Sequence, residues 1–137
     1  MPAVADDSGL GVEVLSGEPG VESARYAGEE QNDRKNIEKL LNKLEGNKNR
    51  RARFVTVAVY YKPDGTYFKA EGEVRGVITE ELRGEGGFGY DPVFQSNVYD
   101  KTMAELSLKE KNAISHRGQA FRRLKELILA SFDSKIL

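Results

Sequence analysis

The stretch Arg53-Phe54-Val55-Thr56-Val57-Ala58-Val59-Tyr60-Tyr61 determines what kind of fold this sequence can form. Its two alternating sets of side chains are both largely apolar, which is typical of a central strand covered on both faces of a sheet. Residues 62–65, Lys-Pro-Asp-Gly, have the composition of a turn, and residues 66–73 then predict a returning strand. Residues 74–79 extend that strand after a bend at a glycine.

The segments before this region predict a strand and a loop. Residues 2–5 are short and apolar and predict the end of a buried strand, and Asp6-Asp7-Ser8-Gly9 predicts a turn. Residues 10–15 alternate and predict a second strand, with Leu10, Val12 and Val14 on one face. Residues 17–28 are rich in Gly, Pro and Ser and are interpreted as a loop.

Three helices complete a mixed α/β layout in a single domain over residues 1–137. A helix over 33–44 is predicted from apolar residues at helical spacing, with a cap at Asn32 or Asp33 and an end at Gly46. Residues 92–94 predict a short extended segment. Ser107 and Glu110 form a capping box, and Ser115 caps the last helix. The apolar stripe of that last helix is Ala120, Phe121, Leu124, Leu127 and Ile128.

Composition excludes several classes of function. The chain has 137 residues, a net charge of −1 and no cysteine. The absence of cysteine excludes disulfides, thiolate metal sites and cysteine nucleophiles, and the near-zero charge gives no global field toward nucleic acid or a membrane. No apolar run approaches the ~20 residues of a membrane span, and no signal peptide is visible. We therefore expect a cytoplasmic protein that binds neither nucleic acid nor membranes.

The adjacent carboxylates Asp6 and Asp7 suggest a site for a hard cation. Mg²⁺ takes oxygen ligands and keeps several waters, and a carboxylate beside it can accept a proton from an attacking water. Neighbours on a strand point to opposite faces, so one carboxylate would do chemistry and the other would support it. The alternative interpretation is that Asp-Asp-Ser-Gly is simply a turn.

The segment Gly84-Glu85-Gly86-Gly87-Phe88-Gly89-Tyr90-Asp91-Pro92 formally contains G-x-G-x-x-G. A Rossmann interpretation is excluded because no helix follows the motif, and Pro92 disfavours a helical Asp91. The glycines permit close backbone approach, and Phe88 or Tyr90 can stack on a base. The alternative is a glycine-rich turn with buried aromatic rings.

Positively charged side chains lie near the start of the C-terminal helical region. Lys111 and Arg117 can bind phosphate or carbonyl oxygens, and His116, the only histidine, can donate a hydrogen bond. His and Arg in the first turn oppose the helix dipole, so a nearby anionic or acceptor ligand would compensate for them. A structural role is the alternative for a lone histidine.

These segments together, in this order, resemble the inosine triphosphate pyrophosphatase family, whose members are also called Ham1-like proteins. The resemblance covers nearly the whole chain. It rests on Ala5-Asp6-Asp7-Ser8-Gly9-Leu10, Pro19-Gly20-Val21-Glu22-Ser23-Ala24-Arg25-Tyr26, Arg53-Phe54, Gly72-Glu73-Val74-Arg75-Gly76, Gly87-Phe88-Gly89-Tyr90-Asp91-Pro92, Lys101-Thr102-Met103-Ala104-Glu105-Leu106 and Lys111-Asn112-Ala113-Ile114-Ser115-His116-Arg117-Gly118. It implies a Maf/Ham1-type α/β fold: an elongated mixed sheet with flanking helices and two lobes around the site, in a homodimer.

The resemblance also implies an activity, the Mg²⁺-dependent hydrolysis of ITP, dITP and XTP to the monophosphate and pyrophosphate. Matched residue by residue, Asp7 is the general base and, with Asp6, the metal site, and Ser8 contacts substrate. Phe88 stacks on the purine, and the next three residues of its loop complete the nucleoside pocket: Gly89, Tyr90 and Asp91. Lys111 binds substrate, and His116 and Arg117 read the purine O6.

One departure from the family pattern affects these expectations. The family begins with a strand, a phosphate-binding Thr/Ser-Gly-Asn-x-x-Lys loop, a helix and a metal-binding glutamate, and none of these precedes Met1. The resemblance is thus to an N-terminally incomplete member. Three hypotheses follow: a nucleoside triphosphate pyrophosphatase or the larger part of one; a purine-nucleotide-binding remnant or one part of a split enzyme, inactive alone; and an assembly module that pairs through a sheet edge.

Overall fold

The computed structural model of the chain describes residues 3–29 and 31–136, with side chains up to Ser131. Within these residues there are five strands and three α-helices, joined by short 3₁₀ turns. The strands are β1 (Ala3–Val12), β2 (Pro19–Gly20), β3 (Arg51–Tyr61), β4 (Tyr67–Ile78) and β5 (Phe94–Ser96). The helices are α1 (Asp33–Leu44), α2 (Leu108–Ile114) and α3 (His116–Ile136).

The sheet has the order β2-β1-β3-β4-β5, with β3 at its centre as predicted. This confirms the α/β class. Every pairing among the described strands is antiparallel, so the expected mixed sheet is not observed over this part of the chain. The physical reason is that β3 and β4 form a hairpin and β1 runs against β3 along its whole length. β2 covers the outer edge of β1 only opposite Leu10 and Gly11.

The first strand differs from its prediction. The turn expected at Asp6-Asp7-Ser8-Gly9 is wrong, because these residues pair with β3 in a continuous ladder that satisfies their backbone groups. The strand predicted over 10–15 ends at Val12, and a 3₁₀ turn at Glu13–Leu15 follows. Val14 is consequently exposed rather than part of a buried face. The predicted loop over 17–28 contains β2 and a second 3₁₀ turn, Ser23–Arg25.

The helices begin largely where the caps predict. Asn32 accepts a hydrogen bond from the amide of Lys35 at the start of α1, and Ser107 and Glu110 form the predicted capping box of α2. The Ser115 hydroxyl accepts from the amide of Gly118 in the first turn of α3. Among the described residues, no helix is both long and apolar enough to cross a membrane.

One face of the sheet carries the core, and α3 packs on it. Ala58 and Ala70 from the sheet contact Ala120 and Leu124 of α3, and a larger cluster lies toward α1 and β5. Gly72 faces the start of α3, where a Cβ would collide with backbone of His116 and Ala120, so the close approach of helix to sheet requires glycine there. Leu127 is 42% exposed, so its place in the predicted apolar stripe is wrong.

The opposite face of the sheet is an open groove of about 930 Å³. Val55 and Val57 of the central strand lie along it and are only partly buried. The prediction that β3 is covered on both faces is therefore wrong for the described residues. Here α3 and α1 pack on one face. On the other face the segment 17–20 lies over Gly9 and Gly11, and the described elements leave Val55 and Val57 uncovered.

Candidate functional site

Strand β1 points its two adjacent carboxylates to opposite faces of the sheet. Arg117 Nε donates to Asp6 Oδ2 at 3.0 Å, on the α3 face. Ser8 shares that face, because its hydroxyl is hydrogen-bonded to Thr56 at 2.6 Å. Asp7 alternates with both and borders the open groove, opposite Val57 in the register. The structure thus brings Asp6 and Ser8 together and separates Asp7 from them.

This separation of the two carboxylates determines whether the described residues can form a Mg²⁺ site. No group of three or more His, Cys, Asp or Glu side chains converges as a metal site among residues 3–29 and 31–131. Asp6 is engaged by Arg117, and Asp7 faces the other way, so the two do not form one site. Mg²⁺ in nucleotide enzymes uses one or two carboxylates together with substrate phosphates. Asp7 alone meets that requirement in part, and the described residues do not supply a complete site.

The glycine-rich loop holds Phe88 outward. The Phe88 ring is 79% exposed, while its backbone amide donates to Asp91 Oδ2 at 3.0 Å. Gly87 precedes it with a φ of 73°, and a Cβ at this position would collide with the Asp91 carboxylate. Gly87 is therefore required both by its backbone conformation and by the close packing of the loop on Asp91. The result is a loop packed on Asp91 that presents an aromatic ring to solvent.

Beneath Phe88 lies a partly buried ion pair. Lys111 Nζ donates to Asp91 Oδ2 at 2.9 Å, and their side chains are 23% and 10% exposed. The same ammonium lies 5.4 Å from the centroid of the Phe88 ring, within cation–π range. The Asp91 carboxylate thus binds both the backbone of the loop and Lys111.

Gly89 and Tyr90 tie this loop to the rest of the fold. The Gly89 amide donates to Asp33 Oδ2 at 2.9 Å, at the start of α1. The Tyr90 hydroxyl donates to the carbonyl of Ser23 at 2.6 Å, its ring lies in the core, and burial raises the pKa of its phenol. Tyr90 is buried and Gly89 is half-buried, and their two hydrogen bonds hold the loop that carries Phe88 and Asp91.

His116 is the first residue of α3, and its ring lies against Phe54. The two rings are stacked at 5.2 Å with an angle of 24°. Burial lowers the pKa of the imidazole, which is therefore neutral at neutral pH, while the nearby Asp91 carboxylate opposes this shift. Its Nδ1 is buried and has no hydrogen-bond partner, alone among the buried side-chain N and O atoms of the described residues. Such an atom calls for a ligand or a water.

Arg117 lies beside His116 and is 62% exposed in its side chain. Its guanidinium bonds Asp6 and lies 5.1 Å from the Phe121 ring centroid. The unfavourable position of this cation in the first turn of α3 is thus offset by a protein carboxylate, Asp6, so the dipole argument alone does not require a ligand.

The predicted site residues fall into two adjoining groups and one separate residue. Asp6, Ser8, His116 and Arg117 share the α3 face, and Phe88, Gly89, Tyr90, Asp91 and Lys111 form the loop group. The groups adjoin because Lys111 lies on α2, which is separated from His116 at the start of α3 by Ser115 alone. Sequence reasoning missed supporting residues of both groups: Ser23, Asp33, Phe54 and Thr56. The alternation of β3 was the signal that placed Phe54 and Thr56 on one face.

The sequence profile described as the Ham1 family matches residues 1–127. The chain belongs to the Ham1 family. It is 52% identical over 128 residues to a protein of Desulforamulus reducens named dITP/XTP pyrophosphatase, covering 92% of this chain and 64% of that protein. It is 55% identical over 133 residues to a protein of Aquifex aeolicus with the same name, covering 90% of this chain and 65% of that protein.

A solved structure shows the same fold. The Ham1 protein of Staphylococcus aureus superposes with a TM-score of 0.91 at 49% identity, covering 95% of this Ham1-family chain and 68% of that one. The chain spans 64% and 65% of the two pyrophosphatases it resembles, which is less than two thirds of their length.

Proposed function

We propose that this Ham1-family chain binds purine nucleotides with a keto group at C6 and acts as a nucleoside triphosphate pyrophosphatase that hydrolyses ITP, dITP and XTP to the monophosphate and pyrophosphate. Two relatives that carry the name dITP/XTP pyrophosphatase support the substrate class. The observation that carries the proposal is Phe88, which is 79% exposed and whose ring centroid lies 5.4 Å from the ammonium of a partly buried ion pair. An exposed ring in a glycine-rich loop is a platform on which a base can stack, worth ~1–3 kcal/mol.

Recognition of the base follows from the start of α3. A neutral His116 carries one ring N–H, and a guanidinium has five donors, so Arg117 can keep its bond to Asp6 and still donate to a ligand. Donors aimed at a purine O6 are satisfied by hypoxanthine or xanthine. The amino group of adenine leaves them unpaired, which discriminates against adenine nucleotides.

The proposed chemistry assigns the remaining groups. Asp7 accepts the proton of the attacking water, and Lys111 and Ser8 contact the substrate. Mg²⁺, when bound, would neutralise phosphate charge. Among the described carboxylates Asp7 would hold it, because Asp6 is bonded to Arg117 instead. Because Asp7 lies on the other face from the base-reading residues, the phosphates have to pass the outer edge of β1, which is unpaired from Ala3 to Gly9 among the described strands.

A second candidate function is a nucleotide-binding remnant, or one part of a split enzyme, that does not turn over alone. The separation of Asp7 from Ser8, His116 and Arg117, together with the incomplete metal site, favours it. We further propose a cytoplasmic homodimer as the assembled form.

A paired assay separates the two candidates. IMP binding is measured by calorimetry, and pyrophosphate release from ITP is measured with Mg²⁺ on the same preparation. Binding with turnover supports the enzyme, and binding with turnover at least ~10²-fold below that of the Desulforamulus reducens relative supports the remnant, because small misplacements of catalytic groups have that effect. Absence of both would contradict the proposed function.

A further inference from the structure

The loop that carries Phe88 is held at its tip by hydrogen bonds from two consecutive backbone amides to two carboxylates. The Phe88 amide donates to Asp91 Oδ2 at 3.0 Å, and the Gly89 amide donates to Asp33 Oδ2 at 2.9 Å. The Phe88 ring is 79% exposed, so side-chain packing covers little of it. The position of this ring therefore depends on the backbone hydrogen bonds on either side of it.

The two carboxylates differ in what else they bind. Asp91 Oδ2 also accepts from Lys111 Nζ at 2.9 Å, and Lys111 is proposed to contact the substrate. When Lys111 turns toward a substrate oxygen, the charge balance at Asp91 changes, and with it the hydrogen bond that Asp91 makes to the loop. The bond from Gly89 to Asp33 involves no side chain assigned to the substrate. It therefore holds the loop independently of Lys111.

Asp33 lies on a firmly anchored turn of α1. The capping role belongs to Asn32, whose side chain caps this helix. Asn36 is 2% exposed, donates to the carbonyl of Ala24 at 2.9 Å and accepts from the amide of Ala27 at 2.8 Å. A residue that positions another group does so precisely only from a rigid element. These hydrogen bonds make the first turn of α1 such an element.

A second explanation for an acidic residue at this position is the helix dipole. A carboxylate in the first turn of a helix is stabilising whatever else it contacts. That explanation needs the negative charge of Asp33, whereas the hydrogen bond from Gly89 needs only an oxygen acceptor. The two roles therefore separate in a variant that keeps the acceptor and loses the charge.

We propose that Asp33 is a positioning residue for base binding: it holds Gly89 so that the Phe88 ring keeps its stacking position while Lys111 contacts the substrate. This role rests on the proposed function. Asp33 acts through the loop and has no assigned contact with the nucleotide. The effect of removing its carboxylate should therefore disappear when the Phe88 ring is already absent.

The test measures IMP binding to the full 137-residue chain by calorimetry. Asp33→Ala should weaken binding at least ~5-fold, the size expected for a lost hydrogen bond to a charged group. Asp33→Asn should stay within about twofold of the natural chain, because its amide oxygen can still accept. In the Phe88→Ala background, Asp33→Ala should change affinity by less than about twofold. Equal losses in Asp33→Ala and Asp33→Asn, or effects of Asp33→Ala and Phe88→Ala that simply add, would overturn the proposal.

Amide hydrogen exchange, followed by NMR without nucleotide, tests directly whether Asp33 holds the loop. The Gly89 amide should exchange at least ~5-fold faster in Asp33→Ala than in the natural chain, because it loses its acceptor. The matched control is Glu38→Ala, which removes another exposed carboxylate of α1, one that forms an ion pair with Arg34. Glu38→Ala should change neither exchange at Gly89 nor IMP binding. Unchanged exchange in Asp33→Ala, or the same increase in Glu38→Ala, would overturn the proposal.

These measurements keep the two proposals distinguishable. If the natural chain binds no IMP, the proposed function fails, and the base-positioning role falls with it even where exchange at Gly89 depends on Asp33. If IMP binds and Phe88→Ala weakens it while Asp33→Ala does not, the positioning role alone fails. Thermal unfolding midpoints of Asp33→Ala and Asp33→Asn should agree, so that a loss of IMP binding confined to Asp33→Ala is not a loss of folding.

Discussion

Arg117 donates from Nε to Asp6 at 3.0 Å and thereby joins the first turn of α3 to the middle of β1. The contact fixes the cation proposed to read a purine base at the place where two elements from opposite ends of the chain meet. It also commits Asp6 to a positioning role and leaves Asp7, on the other face, as the carboxylate available for chemistry.

Asp7→Asn should abolish pyrophosphate release from ITP and leave IMP binding within about twofold of the natural chain. An amide cannot accept a proton from water, and Asp7 does not lie with the base-reading residues. Release is measured with a coupled phosphate assay in the presence of Mg²⁺. Near-normal turnover in this variant would exclude Asp7 as the base.

Asp6→Asn is the matched control for that experiment. It removes the charge that holds Arg117, so it should weaken IMP binding while AMP binding changes less. Equal behaviour of the two asparagine variants would contradict the assignment of different roles to the two carboxylates.

Phe88→Ala should weaken IMP binding roughly 5- to 150-fold, the equivalent of ~1–3 kcal/mol of lost stacking. The ring is 79% exposed, so the unfolding midpoint should hardly change. Val98→Ala, at a residue that is 66% exposed outside the proposed site, serves as the control and should change neither quantity. Unchanged IMP binding in Phe88→Ala would remove the stacking role.

The stability of the fold should depend on pH through His116. Burial lowers its pKa in the folded state from the ordinary value of 6.5, so the unfolded chain takes up a proton first as the pH falls. Stability is therefore fully present above pH 6.5 and declines as the pH falls toward the lower folded pKa. The carboxylates with lowered pKa, such as Glu73 and Glu110, titrate below 4.5 and do not contribute in that window.

Urea unfolding at about pH 7.5 and about pH 5.5 measures this effect. The midpoint of the natural chain should fall between the two, and the fall should be smaller in His116→Gln, because His116 is the only histidine. The same fall in both proteins would show that another group controls stability in this range.

The outer edge of β1 should promote self-association. Residues Ala3 to Gly9 have no partner strand on that side among the described elements, and unpaired edges template pairing with other chains. Ala5→Lys places a charge at the edge and should shift the sedimentation profile toward monomer. A natural chain that stays monomeric at high concentration would contradict this prediction.

Local sequence signals predicted the elements whose stability is local. Caps at Asn32, Ser107 and Ser115 located all three helices, because each cap is a short-range hydrogen bond. The turn composition of Asp6-Asp7-Ser8-Gly9 misled for the opposite reason: these residues are held extended by a ladder to β3, about 50 residues away in sequence. Tertiary pairing overrides turn propensity there.

Local sequence signals predicted only part of the candidate site. The residues that carry donors, charge and an aromatic ring were found from the motifs. The residues that hold the loop in place were not found. Asp33 accepts from the Gly89 amide and Ser23 accepts from the Tyr90 hydroxyl, and these are ordinary polar residues whose role comes from long-range packing. Strand alternation predicted that Asp6 and Asp7 face opposite sides, and the structure confirms it.

Calorimetry with IMP and AMP on the natural chain and on Arg117→Met tests the central claim most directly. Because Arg117 and His116 are proposed to donate to a purine O6, the natural chain should bind IMP at least ~10-fold more tightly than AMP, and Arg117→Met should lose most of that preference. Equal affinities for IMP and AMP in the natural chain, or an undiminished preference in Arg117→Met, would contradict the account.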